Sequence, residues 1–164
     1  MLLRKTPLPK KSHLSRWAEH QPNKGTDGGG CYMNFALVMV SEHMLSNHIA
    51  ISEKALKERA KTREGATSFV DYEATENAII KTLTDDCGEC SNAAFIKDWV
   101  KDNSDGEDID VELYFDEPVG YGFINSPEYD WNEGAVECFG CRVVLAKDEN
   151  MHYGFRLKTA YPIV

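Results

Sequence analysis

At Gly106 the hydrophobic period of this chain changes. Upstream, apolar residues recur at helical spacing. Downstream, Ile109, Val111, Leu113 and Phe115 alternate with Asp110, Glu112 and Tyr114, the two-residue period of a half-buried strand. Ala135 to Ala146 and Met151 to Tyr161 read as two further strands, joined by the turn Lys147-Asp148-Glu149-Asn150. A chain whose helices come first and strands later is predicted to be an α+β domain, with N-terminal helices packed on a C-terminal antiparallel sheet.

The helical half divides at its capping residues. Leu37, Val38, Val40, Met44 and Leu45 make an apolar stripe over Phe35 to Asn47. Ser52 is an N-cap opening a helix to about Arg63, with Glu53 in the first turn, where the helix dipole favours an acid. Asp71 caps a third helix, with Ala74, Ala78, Ile79 and Leu83 on one face. Ser91 opens a fourth, with Phe95, Ile96, Trp99 and Val100 as its buried side. Residues 1–34, with Pro7, Pro9, Pro22 and the Gly28-Gly29-Gly30 run, read as an irregular arm or linker, leaving 35–164 as a single domain. At 164 residues the chain suits one hydrophobic core better than two.

The formal net charge of −9 runs against the basic balance usual in nucleic-acid binders. Its distribution softens the objection. Acidic residues crowd the stretch from Asp85 to Glu117, whereas Lys54, Lys57, Arg59, Lys61 and Arg63 lie in the N-terminal half, and a nuclease site needs only local positive potential. The acidic stretch reads as a solvated face or as a docking surface for a basic partner. No apolar run approaches the roughly 20 residues that span a bilayer. The basic N-terminus lacks the apolar stretch of a classical signal peptide, so export would use another route.

His48 and Arg59 pair a base-capable imidazole with a fixed cation, and near the C-terminus Thr159 and Tyr161 share one strand parity. On a continuous helix His48 and Arg59 would lie about 16 Å apart, too far to share one phosphate. The helix must therefore break between them, and Ile49-Ala50-Ile51-Ser52 is where it can. Met151, Tyr153, Phe155, Leu157, Thr159 and Tyr161 are expected on one face of the last strand. His152 falls on the other unless a bulge at Gly154 re-aims it. Metal-free cleavage of an RNA phosphodiester uses such groups, although a lone histidine beside an apolar stripe is more often structural. His43 reads as a packing histidine, and His13 and His20 as surface residues.

The run from His43 through His48 to Ser52, then Leu56 and Arg59, Ala66-Thr67-Ser68-Phe69, Ala74 to Ile79 and the closing Thr159-Ala160-Tyr161-Pro162 together resemble the bacterial ribonuclease A-like toxin domain. That domain occurs at the C-terminal ends of contact-dependent growth inhibition effectors, and the resemblance covers about residues 40–164. It implies a kidney-shaped α+β fold, RNA cleavage needing no cofactor, delivery into a neighbouring cell and neutralisation by a cognate immunity protein. It also implies His48, Arg59, Thr159 and Tyr161 as active-site residues.

Cys87-Gly88-Glu89-Cys90 and Cys138-Phe139-Gly140-Cys141 are two C-x-x-C knuckles, the ligand set of a closed tetrahedral zinc site. The stretch between them is longer than the roughly 15–20 residues of a compact zinc ribbon. Structural zinc, disulfides suited to an exported protein, and separate packing thiols all fit the spacing. Cys31 is left over. Two functions compete: a secreted endoribonuclease toxin acting on RNA, and a non-catalytic, zinc-stapled module whose acidic face engages a basic protein partner.

Overall fold

A computed structural model describes residues 42–87, 91–102 and 106–164, and the expected arm at 1–34 lies outside them. Helix α1 (Glu42–His48) is followed by α2 (Glu53–Ala60), strand β1 (Gly65–Phe69), α3 (Tyr72–Thr84) and α4 (Asn92–Lys101). Five strands complete the chain: β2 (Ile109–Tyr114), β3 (Gly120–Ile124), β4 (Val136–Cys138), β5 (Gly140–Lys147) and β6 (Phe155–Ile163).

The expected caps form. The Ser52 hydroxyl accepts from the Ala55 amide at 3.4 Å, an Asp71 carboxylate oxygen from Ala74 at 2.8 Å, and the Ser91 hydroxyl from Ala94 at 3.1 Å. Each satisfies an amide that the first helical turn leaves without a partner, typically contributing about 1 kcal/mol. In α3, Ala78, Ile79 and Leu83 are buried with Thr75 and Thr82, whose hydroxyls donate back to the Asp71 and Ala78 carbonyls. In α4, Ile96 is buried and Trp99 and Val100 are half-buried. Phe95, expected on the same face, is 52% exposed, because it projects from the side of α4 that no other element covers among the described residues.

The sheet is not one but two, each antiparallel and three-stranded, in the orders β1-β3-β4 and β2-β5-β6. The segment expected as a single strand over Ala135 to Ala146 breaks at Phe139, so that β4 belongs to the first sheet and β5 to the second. Strands β1 and β3 were not evident from the periodicity. The second sheet packs Val111, Val143, Leu145, Phe155, Leu157 and Ala160 against Ala78, Ile79, Leu83 and Ile96 of α3 and α4. A smaller core holds Leu56 and Ala60 of α2 against Phe123 of β3, with Trp131 edge-on to the Phe123 ring at 5.9 Å. The two sheets meet where β1 and β3 approach the end of β6. The Thr67 hydroxyl donates to the Pro162 carbonyl at 2.7 Å, and Gly120 lies so close to Pro162 that a Cβ would fall 2.5 Å from its Cγ.

Candidate active site

His48 is the last residue of α1, and the chain reverses immediately after it. Ala50 takes φ +52°, a left-handed conformation that ends the helix. The turn is tied down on both sides: Ile49 bridges Phe69, the Ala50 amide donates to the Phe69 carbonyl at 3.0 Å, and the Ile51 amide donates to the Ser68 hydroxyl at 3.0 Å. The Tyr121 hydroxyl donates to the Ile51 carbonyl at 2.7 Å. The break thus falls in the Ile49–Ser52 segment, and α2 runs back toward the end of α1. Arg59 then reaches the carbonyls that α1 leaves open, donating from Nη1 to Asn47 at 3.0 Å and from Nη2 to Ser46 at 3.3 Å. Its positive charge rests at the C-terminal end of α1, beside His48.

Thr159 and Tyr161 arrive from the other side, and a bulge decides their direction. Strand β6 pairs Thr159 with Val144 but Leu157 with Leu145, so Lys158 is an extra residue. Phe155 and Leu157 face the core before it, and Ala160 and Pro162 face the core after it. Thr159 and Tyr161 do share a face, as expected. It is the face opposite Phe155 and Leu157, which corrects the single parity read from the sequence.

The Tyr161 ring lies 5.8 Å from the His48 ring, centroid to centroid, tilted by 33°. Arg142 of β5, its cross-strand partner, donates from Nη1 to the Tyr161 hydroxyl at 3.5 Å. Arg142 is itself ion-paired with Glu112 of β2 through Nε and Nη2, and lies 3.6 Å from Asp110. The Thr159 hydroxyl is buried without a hydrogen-bond partner among the described residues. The structure therefore sets Tyr161 against His48 and anchors Arg59 on the carbonyls just before His48, with Thr159 one pleat from Tyr161 on the same strand face. It adds Arg142, which nothing in the sequence pattern singled out.

The sequence model of the family described as "Bacterial CdiA-CT RNAse A domain" matches residues 42–162. The chain belongs to that family. A solved structure described as a CdiA-CT/CdiI complex from Y. kristensenii shares the fold, with a TM-score of 0.62 at 22% identity over 74% of this chain and 99% of that one. No curated protein sequence matches the chain.

Two other candidates of this RNAse A domain, His152 and Lys57, make contacts elsewhere. His152 stacks edge-on against Tyr153 in the turn before β6, separated from Tyr161 by about 20 Å of strand. The side chain of His43, together with His13 and His20, is outside what the structure describes. Lys57 is committed elsewhere, donating to the Trp131 carbonyl at 3.1 Å above the Phe123 ring.

Cys87 is exposed, Cys138 and Cys141 are buried free thiols, and Cys90 lies outside the described residues. Burial pushes both buried thiols up to about 12, with a Thr82 hydrogen bond partly offsetting this at Cys141. Among the described residues, no three His, Cys, Asp or Glu side chains gather as metal ligands, and no helix is long and apolar enough to cross a membrane.

Proposed function

We propose that this RNAse A domain is an endoribonuclease toxin that cuts RNA by internal attack of the ribose 2′-hydroxyl on the adjacent phosphorus. His48 takes the 2′-hydroxyl proton, the O2′–P bond forms and the P–O5′ bond breaks. The products are a 2′,3′-cyclic phosphate and a free 5′-hydroxyl, with Tyr161 giving its proton to the departing O5′. Arg59 keeps three of its five N–H donors for the extra negative charge of the phosphorane, and Thr159 supports the Tyr161 face of the site from one pleat away.

The observation that carries this reading is the separation of His48 and Tyr161. In an in-line displacement the attacking and leaving oxygens lie on opposite sides of one phosphorus, and base and acid must each reach their oxygen at about 3 Å. Rings with centroids 5.8 Å apart put an imidazole and a phenol side by side, where their polar edges can serve one phosphate. Arg59 brings positive charge to the end of α1 that carries His48 in a protein of net charge −9, whereas the charge of Arg142 is balanced by Glu112 and Asp110. The scheme uses no cofactor.

The reading extends to delivery into a neighbouring cell and to a cognate immunity protein that presents carboxylates to Arg59 in place of phosphate. A deoxyoligonucleotide carrying one ribose tests the chemistry. Cleavage at that position, a cyclic phosphate end and activity surviving chelator are expected. Cutting at deoxynucleotide positions, or loss of cutting with chelator, would overturn the scheme.

A further inference from the structure

A row of side chains crosses the second sheet from edge to edge on the face that carries the candidate site. Glu112 of β2 pairs in register with Arg142 of β5, and Arg142 with Tyr161 of β6, which lies against His48 of α1. The contacts follow the register. Arg142 turns Nε and Nη2 to Glu112 and Nη1 to the Tyr161 oxygen, so one planar fork is held on one side and used on the other.

The consequence concerns a single proton. A phenol oxygen that accepts from Arg142 has that lone pair occupied, and its own O–H must turn elsewhere. The ring plane limits where it can turn, because a phenol O–H prefers to lie in the plane of its ring. A hydroxyl without such a partner rotates freely and spends part of its time donating to water. We propose that Arg142, held by Glu112, is a positioning residue that fixes the orientation of the Tyr161 hydroxyl toward the leaving oxygen. This rests on the ribonuclease reading above. The pairing explains why a strand whose inward residues are Cys141, Val143 and Leu145 carries an arginine on its other face, with two carboxylates on the neighbouring strand to hold it.

Two substrates separate this role from a structural one. The first is an RNA dinucleotide, whose alkoxide leaving group needs a proton. The second is a uridine 3′-(4-nitrophenyl phosphate), whose aryl oxide leaves without one. Arg142→Ala is expected to slow the dinucleotide about 10- to 100-fold, the scale of one charge-assisted hydrogen bond, and to leave the aryl substrate within a few-fold of wild type. Arg142→Lys is expected to remain impaired on the dinucleotide, since a point ammonium cannot hold Glu112 and Tyr161 together.

Tyr161→Phe should show the same selectivity, and the double variant Arg142→Ala/Tyr161→Phe should be no slower than Tyr161→Phe alone. Equal losses on both substrates, or additive losses in the double variant, would overturn the positioning role. So would wild-type activity in Arg142→Ala. A wild-type chain that cleaves neither substrate would instead refute the ribonuclease reading itself. Thermal melting of each variant checks the fold, and Glu112→Gln supplies a milder perturbation of the same row should Arg142→Ala melt early.

Discussion

Arg59 has two duties that one substitution can separate. Its Nη1 and Nη2 close the open end of α1 by donating to Asn47 and Ser46, while the proposed chemistry assigns its charge and its remaining N–H groups to the phosphorane. Fully buried hydrogen bonds from a charged donor contribute about 1.5–3 kcal/mol each. Arg59 is only half-buried and the Ser46 contact is exposed, so solvent screening reduces the pair to about 1–2 kcal/mol in total. Arg59→Ala should therefore lower the melting temperature by about 4–8 °C for a domain of this size.

The catalytic loss should be larger. Removing one preformed donor from developing oxyanion charge typically costs about 10²–10³-fold. Arg59→Lys then divides the two effects. A lysine can reach one of the two carbonyls and keeps the charge, so stability should stay within about 1 kcal/mol of wild type, whereas the fork is gone and cleavage should remain at least about 10-fold down. The assays are urea melts alongside initial rates on the ribose-containing oligonucleotide. Wild-type activity in Arg59→Lys would show that only local charge matters. A wild-type midpoint in Arg59→Ala would show that the carbonyl contacts contribute nothing in solution.

His48→Ala should reduce cleavage by about 10²–10⁴-fold with an unchanged circular dichroism spectrum, and near-normal rates would remove His48 from the mechanism. Gly120→Ala should destabilise by about 1–3 kcal/mol in urea melts, because the added Cβ meets the Ser68 carbonyl and the Pro162 ring, neither of which can swing away. Gly106→Ala meets only the flexible Lys147 side chain and should fall within about 0.5 kcal/mol, and equal costs for the two glycines would contradict the packing described. In native protein, peptide mapping after thiol alkylation should find Cys87 modified and Cys138 and Cys141 protected until unfolding. About one equivalent of bound zinc would support the stapled reading. Because burial raises both buried thiols from near 9 to about 12, the unfolded chain loses their protons first as pH rises. Their contribution is thus intact below pH 9 and falls away toward pH 12, a loss that replacing both by alanine should reduce.

The parts of this fold legible in the sequence are those fixed by neighbours in the chain. Ser52, Asp71 and Ser91 each cap the helix that follows, since capping is a contact three residues long. The break after His48 was legible by exclusion, because a continuous helix would have kept His48 from Arg59. What escaped depends on partners distant in sequence. Strand β1 is four small residues and Phe69, and β3 is interrupted by Gly120 and Gly122, whose purpose is close approach to other chain segments. The exchange of sheets at Phe139 leaves no mark on the alternation. Arg142 escaped for the same reason: only the register, setting Glu112 on one side of it and Tyr161 on the other, gives it a role.

The bulge at Lys158 shows how far a parity argument reaches and why it fails there. Without the extra residue, Thr159 and Tyr161 would continue the face of Phe155 and Leu157 into the core. The Tyr161 hydroxyl would then need a buried partner or cost about 1–3 kcal/mol, and the core would lose Ala160 and Pro162 to the surface. With it, β6 keeps an apolar face inward along its whole length, contributing Phe155 and Leu157 before the bulge and Ala160 and Pro162 after it. The outward face changes with it. Arg156 and Lys158 meet solvent carboxylates at Asp148 and Asp108, whereas Thr159 and Tyr161 meet the candidate site. Bulges accumulate next to active sites because they re-aim side chains without giving up the strand. Here the re-aimed pair includes Tyr161, whose ring lies against His48, so the irregularity that misleads the alternation is also what allows one strand to serve both the core and the site.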